Sequence, residues 1–143
     1  MISYGDYGAV TKTQFLYCKV DWKDRTQMIT RNLLNQIEMS IKIMKHNIFD
    51  VVNDTVVIRK LTTLADYLKF ELNTKSGITD SDILDDKEFQ GYISDLWRPA
   101  SFTGYYNPNL NKAETKIIYD TQHLIKRISR RIEKHGQYQV KSR

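Results

Sequence analysis

Apolar residues along the chain change their period near residue 24, and that change separates an N-terminal arm from a helical body. Between Phe15 and Trp22 they alternate, with Leu16, Cys18, Val20 and Trp22 on one face and Phe15, Tyr17 and Lys19 on the other. A period of two is what a half-buried strand requires, so a short strand or an extended arm is expected within residues 1–23. Tyr4, Gly5, Asp6, Tyr7 and Gly8 form a run of turn formers ahead of it, too short to hold structure alone. Beyond Asp24 the steps become four and three, through Ile29, Leu33, Ile37, Ile41, Met44 and Ile48. This is one apolar helical stripe, with Asp24 or Thr26 as its cap and Asn53 with Asp54 as its stop. A helix of that length runs about 36 to 40 Å.

Val57, Leu61, Leu64, Leu68 and Leu72 repeat the spacing in a second helix, capped by Thr55 and stopped by the turn from Asn73 to Gly77. Val56, Val57 and Ile58 favour strand by propensity, but the longer leucine stripe outweighs three residues. Thr79 and Asp82 resemble a capping box with Asp in place of Glu, and open a third helix through Ile83, Phe89, Ile93 and Leu96 that Pro99 terminates. A fourth carries Leu110, Ile117 and Leu124 in one seven-residue row, with Ile118, Ile125 and Ile132 beside it and Ile128 joining the two. The fold expected is therefore mainly α: a single domain over residues 1–143 with an arm at 1–23, a four-helix body at 24–135 and a basic tail at 136–143. Both prolines, Pro99 and Pro108, fall in one aromatic and polar stretch, Arg98 to Asn111, the long loop between the third and fourth helices.

Composition fits this picture, since 41% hydrophobic and 27% charged residues are the proportions of a globular chain. The most apolar stretch, Ile37 to Val52, is broken by Glu38, Lys42, Lys45, His46 and Asp50, so no membrane span is expected. Met1 to Val10 contains Asp6, lacks basic residues and has no apolar centre, which argues against a signal or transit peptide and for an intracellular origin. A lone cysteine, Cys18, excludes an internal disulfide and a zinc site built mainly from thiolates. The net charge of +5 is uneven: residues 112–143 hold nine Lys/Arg against three Asp/Glu, and residues 1–111 hold thirteen against fourteen. Basicity thus belongs to the last helix and the tail.

No catalytic pattern stands out. His46, His123 and His135 lie in no nucleophile-base motif, and solvated or partly packed histidines are expected. The acidic run from Thr79 to Glu88 is the best metal candidate, yet an EF-hand count from Asp80 puts Asp85 at the turn glycine and Gly91 at the bidentate glutamate. Asp80, Asp82, Asp85 and Asp86 fit capping and compensation of a helix dipole better. No phosphate-binding loop is present. The chain is therefore expected to be non-enzymatic, with no cofactor, no metal and no catalytic residue; a magnesium-dependent nuclease using Asp80 to Glu88 is the third alternative.

Two features suggest contact with other molecules. Arg98, Phe102, Tyr105, Tyr106 and Asn107 put interface-type residues on a loop, either as anchors for a partner or folded back as a cap on the core. On the fourth helix Lys126, Arg130 and Lys134 stack four apart, with Arg127 and Arg131 beside them, either as a solvated face or as a contact for nucleic acid or an acidic partner. The long loop ahead of that helix does not fit a helix-turn-helix, so a DNA-binding regulator or packaging factor is the second reading.

In overall character the sequence resembles small virion proteins of tailed bacteriophages, of the ring-forming kind that joins portal to tail. The likeness rests on fifteen Ile, fourteen Lys and eight Asn against four Ala, on the helical body, and on the aromatic segments. It includes no motif and assigns no residue a role. It implies a head-to-tail connector subunit that forms a homo-oligomer, contacts portal and tail proteins, assembles in the host cytoplasm into the virion, and lines a passage for DNA; a cytoplasmic location is the alternative.

Overall fold

A computed structural model describes residues 27–97 and 101–141, with side chains to residue 134. The alternating segment Phe15 to Trp22, the candidate caps Asp24 and Thr26, and Arg98 lie outside the described residues. Among the described residues five helices form, α1 Met28–His46, α2 Val51–Thr74, α3 Asp80–Asp85, α4 Lys87–Trp97 and α5 Lys112–Lys141, with a 3-10 turn at Phe102–Gly104. The fold is mainly α, and no strand occurs among the described residues.

Aspartate side chains set the helix ends, and they move several boundaries from where periodicity alone places them. The first stripe stops at His46, short of Asn53, because Asp50 caps α2 by accepting from Asn53 N at 3.2 Å. Asp54 fixes the same turn, its Oδ2 accepting from Phe49 N at 2.8 Å and from Asp50 N at 3.1 Å. Thr55 consequently sits inside α2 and does not cap it. The third helix is in fact two. Its capping box is present, with Asp82 N on Thr79 Oγ1 and Thr79 N on Asp82 Oδ2, but Asp86 Oδ1 accepts from Glu88 N at 2.9 Å and starts a new helix in mid-stripe. α5 opens on a reciprocal pair between Asn111 and Glu114, and continues as helix to Lys141 through most of the expected tail.

Among the described residues α1 has no local side-chain cap, since Gln27 makes no such bond. Its free amides are satisfied from across the fold by Asp80, which is 1% exposed. Asp80 Oδ2 accepts from Ile29 N at 3.1 Å, and Oδ1 accepts from Thr30 N at 2.9 Å and Thr30 Oγ1 at 2.6 Å. A carboxylate at a helix N-terminus gains both hydrogen bonds and the dipole, which compensates its burial.

α1 packs on α2 and α5, and α4 packs on the same two, so four helices close around one core while α3 bridges α1 and α4. Ile37, Leu61, Leu64, Leu68, Leu96 and Ile125 are fully enclosed, each contributing roughly 1.5 to 3 kcal/mol by leaving water. On α5, Ile118 and Ile125 are buried along with Ile128, while Ile132 of the same row and the adjoining Ile117 and Leu124 are half-buried. Tyr67 on α2 meets Phe89 at 6.2 Å and Tyr92 edge-on at 5.5 Å, and donates its hydroxyl to Asp86 Oδ2 at 2.6 Å. The α1–α5 seam is polar at its middle: buried Ser40 donates to Thr121 Oγ1 at 2.9 Å.

Asp80→Ala should lower stability by about 2 to 3 kcal/mol in urea denaturation, because buried amides of α1 lose their acceptor; an unchanged midpoint would mean that α1 does not rely on this cap. Burial, reinforced by the bond to Asp86, pushes the Tyr67 phenol well above its ordinary value, and burial raises Tyr105 as well. A raised folded value gives stability that is complete below the ordinary phenol pKa of about 10 and is lost as pH rises beyond it. Thermal midpoints should therefore be level up to that point and fall above it, and Tyr67→Phe should flatten the fall.

Candidate interaction surface

The loop after α4 is anchored inward by three side chains. Phe102 is fully buried and stacks on Tyr105 at 6.5 Å. Gln122 on α5 holds both residues by donating from Nε2 to Phe102 O and Tyr105 O, each at 2.9 Å. Asn107, also buried, donates from Nδ2 to Asn47 O at 2.7 Å and to Tyr105 Oη at 3.1 Å, while its Oδ1 accepts from Asn109 N. Of the two readings open for this loop, anchors for a partner or a cap on the core, the burial of Phe102, Tyr105 and Asn107 favours the cap for these three, because burying the rings and satisfying the amide internally outweighs presenting them to water. Tyr106, 74% exposed, is the one described member of the set on the surface.

The surface that this loop braces was not singled out by periodicity. At the α1–α2 corner Ile48, Phe49, Val51 and Val52 are 43%, 52%, 67% and 77% exposed, and Val56 one turn on is exposed too. Asn47 ties the corner to the loop by accepting from Asn107, so Ile48 and Tyr106 each stand one residue from the same hydrogen bond. Beneath it Asp54, 1% exposed, holds the turn through Oδ2; its Oδ1 has no partner among the described residues, and the positive end of α2 offsets its charge. The result is a fixed backbone that presents consecutive apolar side chains to solvent. A signal for it was present: apolar residues on both sides of Asp50 and Asn53, both turn formers, exceed what one helical stripe can bury.

α5 carries the second candidate surface. Arg127, Arg130 and Lys134 are exposed, and Lys126 and Arg131 are half-buried. Arg127 and Arg131 each hold an intramolecular interaction, whereas Lys126, Arg130 and Lys134 are paired with no carboxylate among the described residues. His123 is exposed with its ring 4.2 Å from Tyr119, His46 is exposed with Nδ1 on Lys42 O, and the His135 side chain lies outside the described residues.

The acidic run serves helix ends and tyrosines. Asp80 caps α1, Asp82 completes a capping box, Asp86 accepts from Tyr67, and Glu88 accepts from Tyr92 Oη at 2.6 Å. Nearby Glu71, almost fully buried, is bonded by Lys75 Nζ at 2.8 Å, which raises the lysine pKa. Among the described residues no group of three or more His, Cys, Asp or Glu is placed to hold a metal, and no helix is long and apolar enough to cross a membrane.

The chain matches no family of known proteins, no curated protein and no solved structure. Phe102→Ala should cost about 3 to 5 kcal/mol in chemical denaturation while Tyr106→Ala leaves the midpoint within about 0.5 kcal/mol; equal effects would contradict the capping role of the loop.

Proposed function

We propose that the chain is a non-catalytic assembly subunit that joins copies of itself and other particle proteins, as the head-to-tail adaptor rings of tailed phages do. The supporting observation is the α1–α2 corner, where Ile48 and Phe49 on the turn and Val51, Val52 and Val56 at the start of α2 stand exposed over a turn held by Asp54 and braced through Asn107. A prefixed apolar surface loses little conformational entropy on docking, so more of its burial is realised as affinity. Several large apolar side chains exposed close together in the sequence are the kind of surface that marks a protein–protein contact.

A second copy is the occupant that fits this surface best. Exposed Lys45 and Asp50 lie in the same stretch of sequence, and a self-complementary contact needs both signs of charge so that each cation meets an anion of its neighbour. The isoleucine-, lysine- and asparagine-rich composition and the helical body favour the phage setting, with portal and tail proteins as further neighbours and the virion as the location.

Light scattering of the full chain tests this reading. The wild-type protein should have a mass several times that of one chain, and Phe49→Asp with Val52→Asp, both at exposed positions, should reduce it to one chain with the helical spectrum intact. A wild-type protein that stays monomeric at its highest soluble concentration, alone and with a portal ring, would overturn it.

A further inference from the structure

The outward face of α5 is more extended than its basic end. Lys112, Lys116, Tyr119, His123, Arg127, Arg130 and Lys134 follow one another at three- and four-residue steps, and all are exposed. They span about 33 Å of helix, one side chain per turn. Lys126 joins them at the edge with its stem half-buried. Two acids interrupt the face, Asp120 and Glu133, and Asp120 is already bonded by Lys116 at 3.1 Å. The opposite side of the helix, through Ile118, Ile125 and Ile128, is locked in the core, so this row cannot turn inward.

We infer that this face is a contact for the sugar-phosphate backbone of nucleic acid, read without regard to sequence. The row is straight, with Lys112 and Lys116 near its start and a denser cluster of Lys126, Arg127, Arg130 and Lys134 further along, and it presents lysine and arginine donors to evenly spaced anions. An acidic protein offers charges in irregular clusters, whereas duplex DNA offers them at even intervals over the whole span, one per roughly 1.7 Å. Tyr119 and His123 continue the face with hydroxyl and ring N–H donors that a phosphate or sugar accepts. The long loop ahead of α5 is not the tight turn of a helix-turn-helix, and the binding mode inferred is attraction to the backbone. The inference does not rest on the α1–α2 corner: a monomer carries the same face.

The test is a titration of the full-length protein with two duplexes of unrelated sequence, and with polyglutamate, across salt. If six backbone contacts form, affinity for both duplexes should fall equally, by roughly a thousand-fold between about 50 and 200 mM salt. Replacing Lys126, Arg130 and Lys134 by Gln should leave a fall of only roughly forty-fold, as three lost contacts require. A charge-matched control, Lys42→Gln with Lys60→Gln and Lys87→Gln, should behave as wild type. Light scattering of the same variants separates this result from the assembly reading, because the Gln variants should keep the wild-type mass whether or not that mass is oligomeric. Absence of salt-dependent binding, an equal effect of the control, or binding to polyglutamate as tight as to duplex would each overturn the inference. A marked preference for one duplex would replace it with a sequence-reading regulator.

Discussion

Helix ends are the constraint on which this fold depends, and Asp80 is where it is most acute. An α-helix begins with amides that have no partner within it, and among the described residues no local side chain takes those of α1. The partner comes from fifty residues further on, buried and triply bonded, so the start of α3 and the start of α1 are one structural unit. That junction sets where α1 lies against α2 and α5, and therefore how the core closes.

The same chemistry recurs at the other end of α1. Asp54 gathers two amides of the turn after α1, Asp50 caps α2, and the turn is held although its outer side chains are apolar. Polar bonds underneath thus make an apolar surface on top rigid. The loop after α4 contributes through Asn107, which is why a segment with little surface of its own still shapes the exposed corner.

Much of the architecture was legible in the sequence because it follows from spacing. The stripes through Leu33 and Ile37, through Leu61, Leu64 and Leu68, and through Ile118 and Ile125 are the buried seams, and the Thr79–Asp82 box forms as its residues suggest. Periodicity says nothing of where one helix yields to the next when both share an apolar side. It therefore ran through Asp86 and past His46, where a carboxylate at a cap competes with continuing the helix. The aromatic loop was open to two readings because composition does not reveal direction; Gln122 and Asn47, distant in sequence, decide it. The exposed corner was hidden by the same ambiguity, since Ile48 fits the stripe by number yet stands beyond the end of the helix.

The polar middle of the α1–α5 seam bears on the order in which the chain can fold. Ser40 and Thr121 are 81 residues apart, so α1 and α2 are complete long before α5 is available to cover them. A wholly apolar face left waiting through synthesis would invite wrong partners. With Ser40 and Gln36 on that face, water can satisfy it until Thr121 arrives, and the hydroxyl pair then marks the correct alignment of the last helix.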